Sequence, residues 1–196
     1  MLFIQHSLKE STPLLALKNL AKIRHGLAVQ TSSIGELPVL HVSHFDVDGL
    51  YSNITDEFVT LENKDPYVLQ PGEVLIAAKG VRQFAWLNTL DFEAVPSSSF
   101  LILTPDESKV LPEYLSIALN IREVAAQMVR LGAGSNIFSI TKTELGELKI
   151  PVPLLKQQKK ICTMTGFTSQ ITANLQLQIK EYQKINTALI TKLLTH

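Results

Sequence analysis

The chain has 196 residues, 45% of them hydrophobic and 18% charged, with 18 Lys and Arg balanced by 18 Asp and Glu. That composition fits one core-forming domain plus an appended element, and excludes a disordered chain. A single cysteine, Cys162, excludes an internal disulfide and a Cys-based zinc site.

A reducing, cytoplasmic setting follows as the expectation. The opening MLFIQHSLKESTP has no charged leader ahead of a long apolar stretch, and no apolar run approaches the roughly 18 residues a membrane helix needs, so neither secretion nor membrane spanning is expected. Zero formal charge argues on its face against a nucleic-acid binder, whose affinity rests on Lys and Arg. The charge is unevenly placed, however: residues 1–155 hold 12 Lys and Arg against 17 Asp and Glu, whereas 156–196 hold six Lys and one Glu.

From the N-terminus, PLLALKNLAKIRHG (13–26) sets Leu14, Leu17, Leu20 and Ala21 at helical spacing before Gly26, which predicts a short amphipathic helical element. ELPVLHVSHFDVDGLY then alternates Val39, His41, Ser43 and Phe45 with Leu40, Val42 and His44 before Asp48-Gly49, a strand running into a turn. A second strand is expected at 57–61. In VLQPGEVLIAAKG, Pro71-Gly72 forms a turn before the apolar run 74–78, a buried strand. A further strand pair is expected at 83–88 and 99–103, and Pro105-Asp106 closes the β-rich part.

PEYLSIALNIREVAAQMVRL (112–131) carries helical periodicity throughout, with Pro at its start and Gly132 after its end, and predicts one helix. After GAGSN, the mixed segment FSITKTELGELKIPVPLL ends in Pro151 and Pro153, which block a continuous helix and mark the domain boundary near residue 155. Beyond them Ile161, Met164, Phe167, Ile171, Leu175, Ile179, Tyr182, Ile185, Leu189 and Leu193 recur at steps of three and four. Such a stripe over about 156–194 predicts a helix on the order of 55 Å long. A helix of that length has apolar surface to place on something other than its own domain, most simply another helix in a coiled-coil-like pair.

In this order the pieces resemble the specificity subunit of Type I restriction-modification systems. LKNLAKIRHG (17–26) looks like the family's entry segment and LPVLHVSHFDVDGLY like the strand that follows. VLQPGEVLIAAKG is similar to its pGD element, with Glu73 where Asp is commoner. LPEYLSIAL and GSNIFSITKTELGELKIPVPLLKQQKKI resemble its helix and domain-closing signature, with Leu154 and Gln157 departing from the usual pattern. The resemblance implies an α+β (mixed α/β) target-recognition domain, 1–155, followed by a helical spacer and dimerisation region, 156–196. It further implies binding of double-stranded DNA, with methyltransferase and restriction subunits as partners that supply the catalysis. The usual family member carries two such domains and two spacers. This chain holds one of each, so a homodimer reading a palindromic bipartite site is expected.

Base readout needs paired donors and acceptors on loops. Lys79, Arg82 and Gln83, just after the apolar strand, are candidates, as are His41, Ser43 and His44, and Ser135 and Asn136 in GAGSN. Plainer readings stand beside each: a solvated turn, polar strand residues, and a helix cap. Two His three apart on a strand face opposite ways, so no metal pair is expected, and Trp86 reads as core or subunit contact. Ile171, Leu175, Ile179, Tyr182, Ile185, Leu189 and Leu193 are the candidate dimer or partner interface, with the Lys residues of 156–192 as its solvated face.

Enzyme readings fare poorly. KDPYV (64–68) lacks a proline of the adenine-methyltransferase element and has no accompanying Gly-rich cofactor loop. PDESK (105–109) bunches acidic residues that a nuclease draws from separated positions to hold Mg²⁺, and no phosphate-binding loop occurs. A non-catalytic chain without cofactor is the expectation. The alternative is a scaffold that acts through its helix and does not bind DNA.

Overall fold

The computed structural model describes residues 12–28, 30–46, 49–52, 55–132 and 138–194. It divides into two compact units, 1–158 and 159–196. The first is built on an antiparallel sheet in the order β2-β8-β5-β6, formed by Ala21–His25, Phe100–Pro105, Val74–Ala77 and Ala85–Leu87. A smaller sheet, β4-β3-β7, joins Phe58–Val59, Leu37–Leu40 and Val95–Pro96, with β3 and β7 parallel.

The two central strands read as unbroken apolar runs because both faces are covered: all of β5, and β8 from Phe100 to Leu103, are buried. One face of the sheet, with Leu75, Ala77, Trp86, Phe100 and Ile102, joins a cluster around Phe45. The Phe45 ring lies 5.0–5.7 Å from the rings of Tyr51, Phe84, Trp86 and Phe100, which makes Trp86 a core residue. At the β5 entry, Glu73 N–H donates to Gln70 O (3.1 Å) across Pro71-Gly72. Gly72 has φ +79°, as a turn with Pro at its second and Gly at its third position requires. The buried Glu73 carboxylate then accepts from Gln70 N–H, Thr104 Oγ1 and the Arg24 guanidinium (2.6 Å), tying the turn to β8 and β2.

Several sequence expectations are corrected. The helix expected at 13–26 is replaced by β1 (Leu14–Ala16), a 3-10 turn (Leu17–Asn19) and β2. β1 pairs with β9 (Lys149–Pro151) and β2 with β8, so long-range ladders outweigh the local helical spacing. The strands expected at 83–88 and 99–103 do not pair with each other, since β5 lies between them. The single helix expected at 112–131 is two, α1 (Pro112–Asn120) and α2 (Arg122–Leu131), because Ile121 is extended, with φ −68° and ψ 145°. Asn120 holds the break: its amide donates to Ala85 O (2.7 Å) and accepts from Ala85 N–H (2.9 Å) on β6, and it also donates to Ser116 O.

The short helix α3 (Lys142–Gly146) starts on a capping box in which Thr141 and Glu144 satisfy each other's backbone N–H. The last helix, α4, spans Leu155–Leu194. In its first turn the fully buried Gln158 accepts from Leu111 N–H (2.8 Å) and donates to Lys109 O (2.9 Å) and Pro153 O (2.8 Å), all within the first unit. In the second unit the side chains of Phe167, Ile171, Leu175, Ile179, Tyr182 and Ile185 are 53–72% exposed. The side chains of Leu189 and Leu193 lie outside the described residues. Among the described residues, no helix is long and apolar enough to cross a membrane.

Candidate functional site

Antiparallel order sends the C-terminal ends of β2 and β5 and the N-terminal ends of β8 and β6 to the same end of the main sheet. The smaller sheet is stitched to that end. Ser97 N–H donates to Leu40 O (2.9 Å), Leu27 N–H to Pro96 O (2.7 Å), Gly26 N–H to Phe100 O (3.0 Å) and Ala78 N–H to Ser99 O (2.9 Å). The connections after β2, β3 and β5, and the Ser97–Ser99 turn between β7 and β8, therefore share one rim. His41, Ser43, His44, Lys79, Arg82 and Gln83 all lie on these connections.

His41 and His44 are closer than a strand would allow. Val42–His44 is a 3-10 turn, whose i and i+3 side chains eclipse, and it brings the two rings to 5.4 Å, edge to face. Their expected opposite orientation is thereby corrected. His44 is buried, with Nδ1 accepting from His41 N–H (3.2 Å), which places the ring proton on Nε2. Burial, reinforced by the nearby His41, lowers the His44 pKa. His41 Nε2 lies 3.1 Å from Glu57 Oε2, and Thr31 Oγ1 donates to the same carboxylate oxygen. The Thr31 hydroxyl, and then His41, hold the Glu57 carboxyl below its ordinary range. Ser43 is exposed. Among the described residues no group of three His, Cys, Asp or Glu side chains is arranged to hold a metal ion.

The β5–β6 hairpin tip is braced from both sides. Gly80 N–H donates to Phe138 O (3.1 Å) and Lys79 bridges Ser139. Arg82 turns its guanidinium onto the carbonyls of Phe45 (2.8 Å) and Val42 (3.1 Å), and Gln83 donates to Gly80 O (3.1 Å). Arg82 thus locks the 42–45 turn beneath the hairpin, while Lys79 and Val81 are exposed at the tip. Ser135 and Asn136 lie outside the described residues.

Sequence reasoning passed over a second group on this rim. A cleft of about 420 Å³ is lined by Gln30, Thr31, His41 and Ser97–Ser99, together with Leu27, Ala28 and Val39. Its wall stands close to Gly26, where a methyl group would meet the carbonyl oxygens of Pro96 and Ser97. The run VPSSSF between two strands was the available signal, but its meeting with Thr31 and His41 depends on the parallel β3–β7 pairing. The acidic group in PDESK serves a turn: Asp106 pairs with Lys109 and accepts from Ser108, contacts that lower its pKa to about 2.

The family model described as the Type I restriction modification DNA specificity domain matches residues 17–181. A putative type I restriction enzyme MjaX specificity subunit from Methanocaldococcus jannaschii is 29% identical over 104 residues, 50% of this chain and 23% of that protein. The fold is similar to that of a Type-I restriction-modification system S subunit from M. genitalium, with TM-score 0.62 and 15% identity over 85% of this chain and 41% of that one. It is similar also to an HsdS subunit from Thermoanaerobacter tengcongensis, with TM-score 0.63 and 15% identity over 92% and 48%. A third likeness, to a chain from a structure of type I R-M complex assembly, has TM-score 0.64 and 20% identity over 89% and 45%. This chain spans less than half the length of each of these proteins.

Proposed function

The chain belongs to the family of Type I restriction modification DNA specificity domains, and from that premise we propose that it selects the DNA sequence on which a Type I restriction-modification assembly acts. The observation that carries this reading is the gathering of four polar connections, bearing Gln30 and Thr31, His41 and Ser43, Lys79, and Ser97–Ser99, at one end of the main sheet. Side chains held that way can enter a groove as a set, because the strands beneath fix their spacing. In this reading Lys79 contacts phosphate and the hydroxyl, imidazole and amide groups face bases. Ser135 and Asn136 remain part of the proposed surface. The chain itself contributes recognition, without catalysis or cofactor, and methyltransferase and restriction subunits supply the chemistry in the cytoplasm.

The proposal includes a homodimer formed through coiled-coil-like pairing of α4. Its support is the row of exposed apolar side chains from Phe167 to Ile185 on α4. Two domains related by a two-fold axis would read a bipartite palindrome. The test is selection from a randomised duplex library by this chain assembled with its methyltransferase subunit. Enrichment of a two-part motif with inverted half-sites is expected. Stable assembly that enriches no motif would overturn DNA reading and favour the scaffold alternative, which the same exposed apolar face supports.

A further inference from the structure

Ser97 is 6% exposed, and its backbone is fully engaged, N–H to Leu40 O and carbonyl from Phe100 N–H, yet its Oγ has no hydrogen-bond partner. A buried hydroxyl left unsatisfied is costly, so this group in the wall of a cleft is free to pair with a water or a ligand atom that enters it. Beside Leu27, Ala28 and Val39, the rest of the lining offers polar side chains, Gln30, Thr31, His41, Ser98 and Ser99, with neither Lys nor Arg among the lining residues. The ionised Glu57 carboxylate sits behind Thr31 and His41. A phosphate approaching this cleft would meet the Glu57 carboxylate with no Lys or Arg side chain in the lining to offset it. A neutral group offering an N–H donor beside an acceptor would meet hydroxyls, an amide and a carboxylate-polarised Thr-His pair.

We propose that the Gln30–Thr31–Ser97–Ser99 cleft is the part of the rim that reads a base identity, taking the amino-bearing edge of an adenine or cytosine. This inference rests on the DNA-reading assignment above and assigns the roles within it. Lys79, at the braced hairpin tip, supplies affinity, and the cleft supplies choice. Gln presents one donor and one acceptor to adenine's exposed edge, and a carboxylate or hydroxyl accepts from cytosine's amino group. The neighbouring Gly26 is part of the device, because a side chain there would push the Ser97 turn away.

The experiment repeats the library selection with the chain in its assembly and with the variants Gln30→Ala, Ser97→Ala and Lys79→Ala. Gln30→Ala and Ser97→Ala are expected to lower discrimination at one amino-bearing position of each half-site on the order of tenfold, with the other positions retained. Lys79→Ala is expected to reduce recovery of all sequences evenly and leave the motif unchanged. Duplexes carrying 7-deaza-adenine or 5-substituted cytosine at the affected position then separate the two bases. If both cleft variants enrich the wild-type motif with undiminished preference at every position, the inference fails while DNA reading stands. Should Ser97→Ala unfold, the exposed Gln30 decides alone. A wild-type assembly that enriches nothing would instead count against DNA reading itself.

Discussion

Arg82 looks, in sequence, like a base reader beside Lys79, yet its guanidinium faces inward onto two carbonyls of the 42–45 turn. Its removal is therefore a stability change: Arg82→Ala is expected to lower the unfolding free energy by about 1.5–3 kcal/mol in denaturant titration, against within about 0.5 kcal/mol for the exposed Lys79→Ala. His44 sets a pH response. Its folded-state pKa is depressed by burial and by His41, and Nδ1 is occupied by His41 N–H, so the native state resists the proton. As pH falls below about 6.5 the unfolded chain takes up that proton first, and stability declines from there down to the lower folded value. His44→Gln should flatten this part of a stability–pH curve. The carboxylate of Asp106 acts in a separate window, its contribution being lost as pH falls from 3.8 to about 2. Residue types at the rim were legible in the sequence, but their duties were not. Whether a cation faces water or a carbonyl is decided by packing between residues some 40 positions apart, as Arg82 and Val42 are, and the Ser97 cleft needs three non-adjacent connections to exist at all.

At the scale of elements, local rules succeed where neighbours in sequence are also neighbours in space. The buried strand β5, the turn at Pro71-Gly72 and the α-helical character of 112–131 could be read from pattern alone. The break at Ile121 could not, because Asn120 is held by β6 and not by its own helix. The strand at 14–16 was hidden for the same reason, its partner β9 lying more than 130 residues away. The capping box at Thr141 and Glu144 was in plain view as T-x-x-E ahead of an apolar residue, and announces α3. Gln158 shows how one side chain closes an element onto its domain. Gln158→Leu leaves Leu111 N–H and the carbonyls of Lys109 and Pro153 without it, and is expected to cost about 3 kcal/mol, measured as a shift of the denaturant midpoint. For α4, Ile171→Asp with Ile179→Asp places charge on the exposed apolar face. The proposed dimer should then sediment as a monomer at micromolar concentration, with the circular dichroism of the first unit retained. Unchanged sedimentation of a dimeric wild type would remove α4 pairing from the account.

For the whole molecule, zero net charge and recognition of a polyanion are compatible once affinity is shared. Residues 1–155 are net acidic and bear the proposed reading surface, and the six Lys lie beyond them. A reader of this kind gains by geometry more than by charge: a sheet whose two central strands are buried on both faces, a hairpin braced by Phe138 and Arg82, and a serine turn crossing between two sheets at the rim. Salt dependence should follow the complete assembly, with the chain alone binding DNA weakly at physiological ionic strength. The family match covers residues 17–181, most of the first unit and of α4, whereas the proposed assignment of the rim as the DNA face rests on its topology. The measurement that bears on both is methylome sequencing of host cells with and without this chain, complemented by Gln30→Ala. The account predicts a bipartite methylated motif that disappears without the chain and relaxes at one base pair per half-site in the variant. Methylation identical in all three strains would contradict it.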